Sequence, residues 1–166
     1  KVNSSIIFNI FIKFSDLTVP FSSSNLYLVY HFFIMKTLGP LASNSRLNIM
    51  QLHQKYALKE VFCRKKKNEC EIIVKSLQIM MPRPPNTHKN IFTCGLMYKL
   101  EHAKLKFIHK TLADFFVSQY CIDNVLNANL NLGNESELRC KLFLNIVKDA
   151  DRCYKTIHRF LDNYIK

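Results

Sequence analysis

Glycine is nearly absent. Gly39, Gly95 and Gly133 are the only three in 166 residues, and they lie far apart. A loop that cradles a nucleotide's phosphates needs clustered glycines, and the pattern G-x-x-x-x-G-K-[ST] does not occur. We therefore expect no nucleoside triphosphate hydrolysis by this chain alone, and no enzyme. Long apolar runs are also missing, so no stretch suits a membrane-spanning helix. The segment "SSIIFNIFIKF" is too short and too broken by polar residues, and it has no small-residue cleavage site. The six cysteines (Cys63, Cys70, Cys94, Cys121, Cys140, Cys153) contain no C-x-x-C pair. Cys63 and Cys70 with His53 upstream, or Cys94 with His102, do not match structural zinc spacing, so we expect no metal. Neither a Cys–His nor a Ser–His–Asp signature is legible. In a secreted chain the cysteines would form a disulfide framework. With no sign of secretion, reduced intracellular thiols are the reading we carry forward.

Acidic residues are scarce as well. Twelve Asp and Glu face 24 Lys and Arg, and the imbalance is local. Residues 36–110 carry fifteen basic side chains against four Glu, whereas 111–166 balance seven against seven. A basic middle suits nucleic acid, anionic lipid or an acidic partner domain, and equally a plain solvated surface. The chain opens on Lys1, not methionine, and we read it as a piece of a longer protein.

What is present reads mostly as helix. Asn25 precedes "LYLVYHFFIMK", apolar on nearly every side, which predicts a well-buried helix broken at Leu38-Gly39-Pro40. A second helix is expected from about Leu47 to Phe62, with Met50, Ala57 and Val61 on one face. After the "RKKK" run at 64–67, "ECEIIVKSLQIM" fits helix or strand. "PRPPNTHKN" at 82–90 must be a loop. Two β-compatible runs around "LEHAK" then predict a hairpin, with strands near 91–99 and 103–108. A helix follows from Thr111, with Leu112, Phe115, Phe116 and Tyr120 at helical spacing. After a loop at 127–134, two amphipathic helices carry Leu138, Leu142 and Ile146, then Tyr154, Ile157, Phe160, Leu161 and Tyr164. The expected fold is mainly α: a winged-helix-like module with one short β-hairpin, followed by a helical extension. Residues 1–24 are a poorly defined lead-in, 25–121 the module, and 122–166 the start of a following helical domain.

The chemistry concentrates where hairpin meets helix. Thr111-x-x-Asp114 has the spacing of a capping box. The threonine oxygen would accept the Asp114 N–H, and the carboxylate would favour the positive helix end. That arrangement leaves His109 just outside the first turn, where unpaired N–H groups attract phosphate. The alternative is a histidine that only packs between hairpin and helix.

"LKFIHKTLADFFVSQY" resembles the signature Phe-Ile-His-Arg-Thr-Phe-Ala-Glu-Tyr-Phe-Val-Ala, found at the end of the winged-helix domain of NACHT-type STAND NTPases. These include NOD-like receptors and arthropod NACHT–ankyrin proteins. Phe107, Ile108, His109, Thr111, Ala113, Phe116 and Val117 match directly, while Leu112 stands for a phenylalanine and Asp114 for a glutamate. "NLYLVYHFFIMK", "HQKYALKEVF" and "YKTIHRFLDNYI" are similar to helices of the same family, in the same order. The resemblance implies a cytoplasmic, non-catalytic lever of innate-immune signalling that switches with nucleotide. It would close over ADP held by the ATPase core of the same chain, and ATP exchange would free the parent to oligomerise. His109 would then be the residue that senses the nucleotide, and ADP or ATP a cofactor of the parent, not of this piece. A free-standing basic winged-helix module that binds nucleic acid is the rival.

Overall fold

The computed structural model describes residues 25–39, 41, 43–62, 69–81, 94–99, 105–128, 133–149 and 154–165. The lead-in segment, the proline-rich loop and the "LEHAK" turn lie outside them. Among the described residues the fold is mainly α with one two-stranded antiparallel hairpin.

Helix α1 spans Leu26–Leu38, and its start is set by Asn25, whose side chain accepts the Leu28 N–H at 3.0 Å. Such a cap contributes about 1 kcal/mol. The helix is less buried than its composition predicts. Tyr27, Phe33, Ile34 and Leu38 face inward, but Leu28 and Phe32 are each 51% exposed. The reason is position: α1 lies at the outside of the bundle and packs mainly on one neighbour.

Helix α2, Ser43–Phe62, begins four residues before the expected start. Its inward face carries Ile49, Leu52, His53, Gln54, Ala57, Leu58 and Phe62, while Met50 and Val61 sit half-buried at the rim. The expected face was rotated because His53 and Gln54 count as polar in a sequence pattern, yet both are inside. Helix α3 covers Glu69–Met80, which resolves the helix-or-strand ambiguity. Cys70, Ile73, Val74 and Leu77 are buried at helical spacing, and Glu69 and Glu71 favour the positive end in the first turn.

Gly95 has φ +66°, a conformation that glycine adopts without strain, and it turns the chain into the hairpin. Strands β1 (Met97–Lys99) and β2 (Leu105–Phe107) pair Met97 with Phe107, Tyr98 with Lys106 and Lys99 with Leu105. Residues 94–96 and Ile108, expected within the strands, lie outside them. Met97 and Phe107 share the inner face and are buried, so Tyr98 and Lys106 share the outer one.

Helix α4, Lys110–Cys121, is the axis of the molecule. Every residue from Leu112 to Ile122 is buried, because α2, β2 and a final helix α6 (Lys155–Ile165) all pack around it. Leu112, Phe115 and Phe116, at helical spacing in the sequence, are all buried, and Phe115 meets Phe160 edge-on with centroids 5.4 Å apart. A π-helical turn, Ile122–Leu126, continues α4 before α5 (Asn134–Lys148) packs on α3. Leu142 and Ile146 of α5 are buried as expected, as are Tyr154, Ile157, Phe160 and Leu161 at the end of the chain.

Candidate functional site

At the end of β2 the backbone stays extended through His109 (φ −141°, ψ 139°) and only then coils into α4. His109 is the helix N-cap. Its Nδ1 accepts the Thr111 N–H at 3.2 Å, and its carbonyl accepts the Leu112 N–H at 3.1 Å. The expected cap, Thr111 with Asp114, is therefore corrected. The helix opens one residue earlier, at Lys110, which puts Thr111 in the first turn. The imidazole takes the role assigned to the threonine hydroxyl. Thr111 is half-buried and its side chain hydrogen-bonds the hydroxyl of Tyr30 on α1.

This cap fixes the tautomer of a neutral His109. A nitrogen that accepts a hydrogen bond carries no proton, so the ring hydrogen sits on Nε2. His109 and Lys110 are both exposed. The outer end of α4 thus presents an imidazole N–H and an ammonium beside the positive pole of a twelve-residue helix.

Asp114 is not at the surface, as a capping residue would be. It is only 4% exposed. Burial pushes its carboxyl above the usual carboxylate range, and Glu60 of α2 adds to the push. The charges of Lys110 and His109 oppose it. Glu60 also accepts the Phe107 N–H at 3.2 Å, which ties α2 to the hairpin. Expected site residues His109, Thr111 and Asp114 therefore do gather within one turn or so of α4. Glu60 and Tyr30 complete the cluster from two other helices. No local spacing pointed to those two, since only packing brings them there.

A second polar group lies along the other half of α4. The Tyr27 hydroxyl donates to Gln119 Oε1 at 2.9 Å, and Gln119 Nε2 donates to Asp123 Oδ1 at 2.8 Å. Gln54 Nε2 donates to the other oxygen of Asp123 at 2.8 Å. One carboxylate thus joins α1, α2, α4 and the π-helical turn. Burial raises the Tyr27 hydroxyl to about 12, with the Asp123 charge second, so it stays a donor.

A recess of about 180 Å³ between α3 and α5 is lined by Glu69, Cys70, Asn145, Lys148 and Asp149, with no residue of α4 or the hairpin. Cys70, Cys94, Cys121 and Cys140 are free thiols. Among the described residues no three His, Cys, Asp or Glu side chains gather as a metal site would require. No described helix is long and apolar enough to cross a membrane.

Comparison with known proteins adds no neighbour: no family model, no curated protein and no solved structure matches the chain.

Proposed function

We propose that the chain is a non-catalytic regulatory piece of a NACHT-type signalling ATPase. Residues 25–121 act as its winged-helix-like module, and 122–166 begin the helical domain that follows. In the cytoplasmic parent it closes over ADP bound by the ATPase core of the same chain and holds the protein inactive. Exchange for ATP releases it, and the opened parent oligomerises. The logic is that of a bistable interface whose two states bind nucleotide differently.

The observation that carries this reading is the outward Nε2–H of His109. It stands exposed at the N-terminus of a helix whose other side chains are almost all inside. That histidine is also the one picked out by the resemblance. A hydrogen bond from it to a charged phosphate oxygen is worth about 1.5–3 kcal/mol, or roughly tenfold to a hundredfold in retention. In the full-length parent, His109→Ala should speed ADP release by that factor at unchanged folding stability. Equal ADP release from wild type and mutant returns His109 to a capping residue and nothing more.

The rival, a free-standing nucleic-acid binder, draws on Lys99, Lys106 and Lys110 around the hairpin. Against it stands α3, the helix before the hairpin, whose exposed side chains include Ile72, Ile79 and Met80. Lys75 on that helix is already paired with Glu71 at 2.8 Å. A reading helix would offer Arg, Asn or Gln to base edges. Salt-dependent retention of duplex DNA by the chain would revive this rival.

A further inference from the structure

Helix α3 has two apolar sides, and only one of them is covered. Cys70, Ile73, Val74 and Leu77 point into the core. On the opposite side Ile72 is 65% exposed and Ile79, two turns further on, is 86% exposed, with Met80 at 44% on the rim. Ile79 is the most exposed large apolar side chain among the described residues. Residues seven apart fall on one line along a helix, so the two isoleucines form a single outward stripe. The charge around that stripe is left with one sign. Glu71 is paired with Lys75 at 2.8 Å, and Glu69 lines the recess toward α5. Four consecutive cations, Arg64 to Lys67, stand in the connection into α3, and Arg83 follows the helix. Lys67 is two residues from Glu69, where α3 starts, so the chain itself holds that charge within about 7 Å of the helix end. Residues 64–83 carry six basic side chains against two acidic ones, a net +4.

We propose that the outer face of α3 docks on an anionic lipid surface: Ile72, Ile79 and Met80 enter the boundary between headgroups and acyl chains, and the positive charge around the helix supplies the attraction. Size and charge together select this occupant. A stable protein interface buries about 800 Å² on each partner, from roughly 20–30 residues. Three side chains on one convex helix fall far short of that. A membrane surface asks for less, because a few apolar side chains and several nearby cations act together on an anionic leaflet. Duplex DNA would answer the cations but leave the isoleucines in water, since its contacts are made chiefly through phosphate. The attachment is peripheral, as α3 has twelve residues and no described helix is long and apolar enough to cross a membrane. It is independent of the reading of His109.

The test is co-sedimentation of the chain with extruded vesicles, of phosphatidylcholine alone or with a third of phosphatidylserine, at low and high salt. Wild type should pellet with the anionic vesicles at low salt and leave them as salt rises. Both isoleucines are exposed, so replacing them leaves the core untouched. The double variant Ile72→Ser, Ile79→Ser should partition about tenfold less, or weaker still. Phe32→Ser, at a 51% exposed position on α1, should bind like wild type. The chain has no tryptophan, so Ile79→Trp adds a single reporter. Its emission should move to shorter wavelength with anionic vesicles and stay unmoved with neutral ones. The proposal is overturned by failure to pellet with anionic vesicles, by equal pelleting with neutral ones, or by unmoved emission from the Ile79→Trp chain. Equal loss in Phe32→Ser and the double variant overturns it too, because α3 would then have no special part. Light scattering covers the remaining occupant. A wild-type dimer that the double variant dissolves would give this face to a second copy, and lipid docking would be wrong.

Discussion

The His53 ring lies stacked on the Phe116 ring, with centroids 4.9 Å apart and planes 23° from parallel, and neither side chain reaches solvent. His53 Nδ1 donates to the Ile49 carbonyl at 2.7 Å, which leaves Nε2 buried without a partner. A buried ring so placed resists a second proton, and burial pushes its pKa down from 6.5 to about 4. The folded state therefore binds fewer protons than the unfolded one in that window. Stability is full above pH 6.5 and is lost as pH falls toward 4, by about 3 kcal/mol. Denaturant melts of wild type and His53→Leu across pH 4–7 should show a shallower acid decline in the mutant. Parallel declines would remove His53 as the cause.

Phe116 is the partner on which that stack depends. It also contacts Phe107 and Phe115 with centroids 5.6 Å away in each case, so it joins hairpin, α2 and α4. Phe116→Ala leaves a cavity between three elements that cannot all close on it. A loss of about 3–5 kcal/mol is expected. Equilibrium unfolding giving less than 1 kcal/mol would mean that the core relaxes freely around the gap.

Thiol chemistry should divide by burial. Cys121 is fully enclosed and its thiol is pushed up to about 12, so no useful thiolate forms. Burial also raises the Cys70 thiol. Cys94 and Cys140 are half-buried. Brief alkylation of the native chain at pH 8, mapped by mass spectrometry, should label Cys94 and Cys140 before Cys70, and Cys121 only on unfolding. Early label at Cys121 would show that α4 opens readily.

Much of this was legible in the sequence, and the failures have physical causes. Asn25 capped α1 as its residue type predicts, and Tyr154, Ile157, Phe160 and Leu161 faced the core as their spacing predicts. The hairpin was found by its change of period. Thr111-x-x-Asp114 misled because a capping pattern describes one helix in isolation. Here Asp114 is buried inside the fold, and the imidazole of His109 caps the helix by accepting the Thr111 N–H. Glu60 and Tyr30 meet Asp114 across 54 and 84 residues of chain, a distance at which local patterns say nothing. The π-helical turn was equally silent. It accompanies an Asp123 carboxylate shared by Gln54 and Gln119, a partnership that exists only after folding.

Nucleotide binding by the chain alone should be weak or undetectable. One imidazole, one ammonium and one helix end leave most oxygens of a diphosphate in water, and no clustered glycines supply backbone donors. Calorimetry with ADP and with ATP is expected to give no dissociation constant below the millimolar range. Micromolar affinity would require a phosphate cradle other than the head of α4.

The chain's own stability offers a check on Asp114. Its folded carboxyl is raised above the ordinary value of 3.8, chiefly by burial. The folded state thus binds more protons than the unfolded one just above that pH, the opposite sign to His53. The stabilisation is full below pH 3.8 and is lost as pH rises through the higher folded value. Once ionised, Asp114 is a buried charge, compensated only in part by Lys110. Asp114→Asn keeps the shape and removes the charge, so the mutant should melt at a higher denaturant concentration than wild type at pH 7. The gap should narrow as pH falls toward 4. The same comparison on a Lys110→Met background should widen the gap at pH 7, because the compensating Lys110 charge is gone. A mutant less stable than wild type at pH 7 would mean that the ionised carboxylate is held by interactions stronger than the cost of its burial, and Asp114 would then be a structural anion.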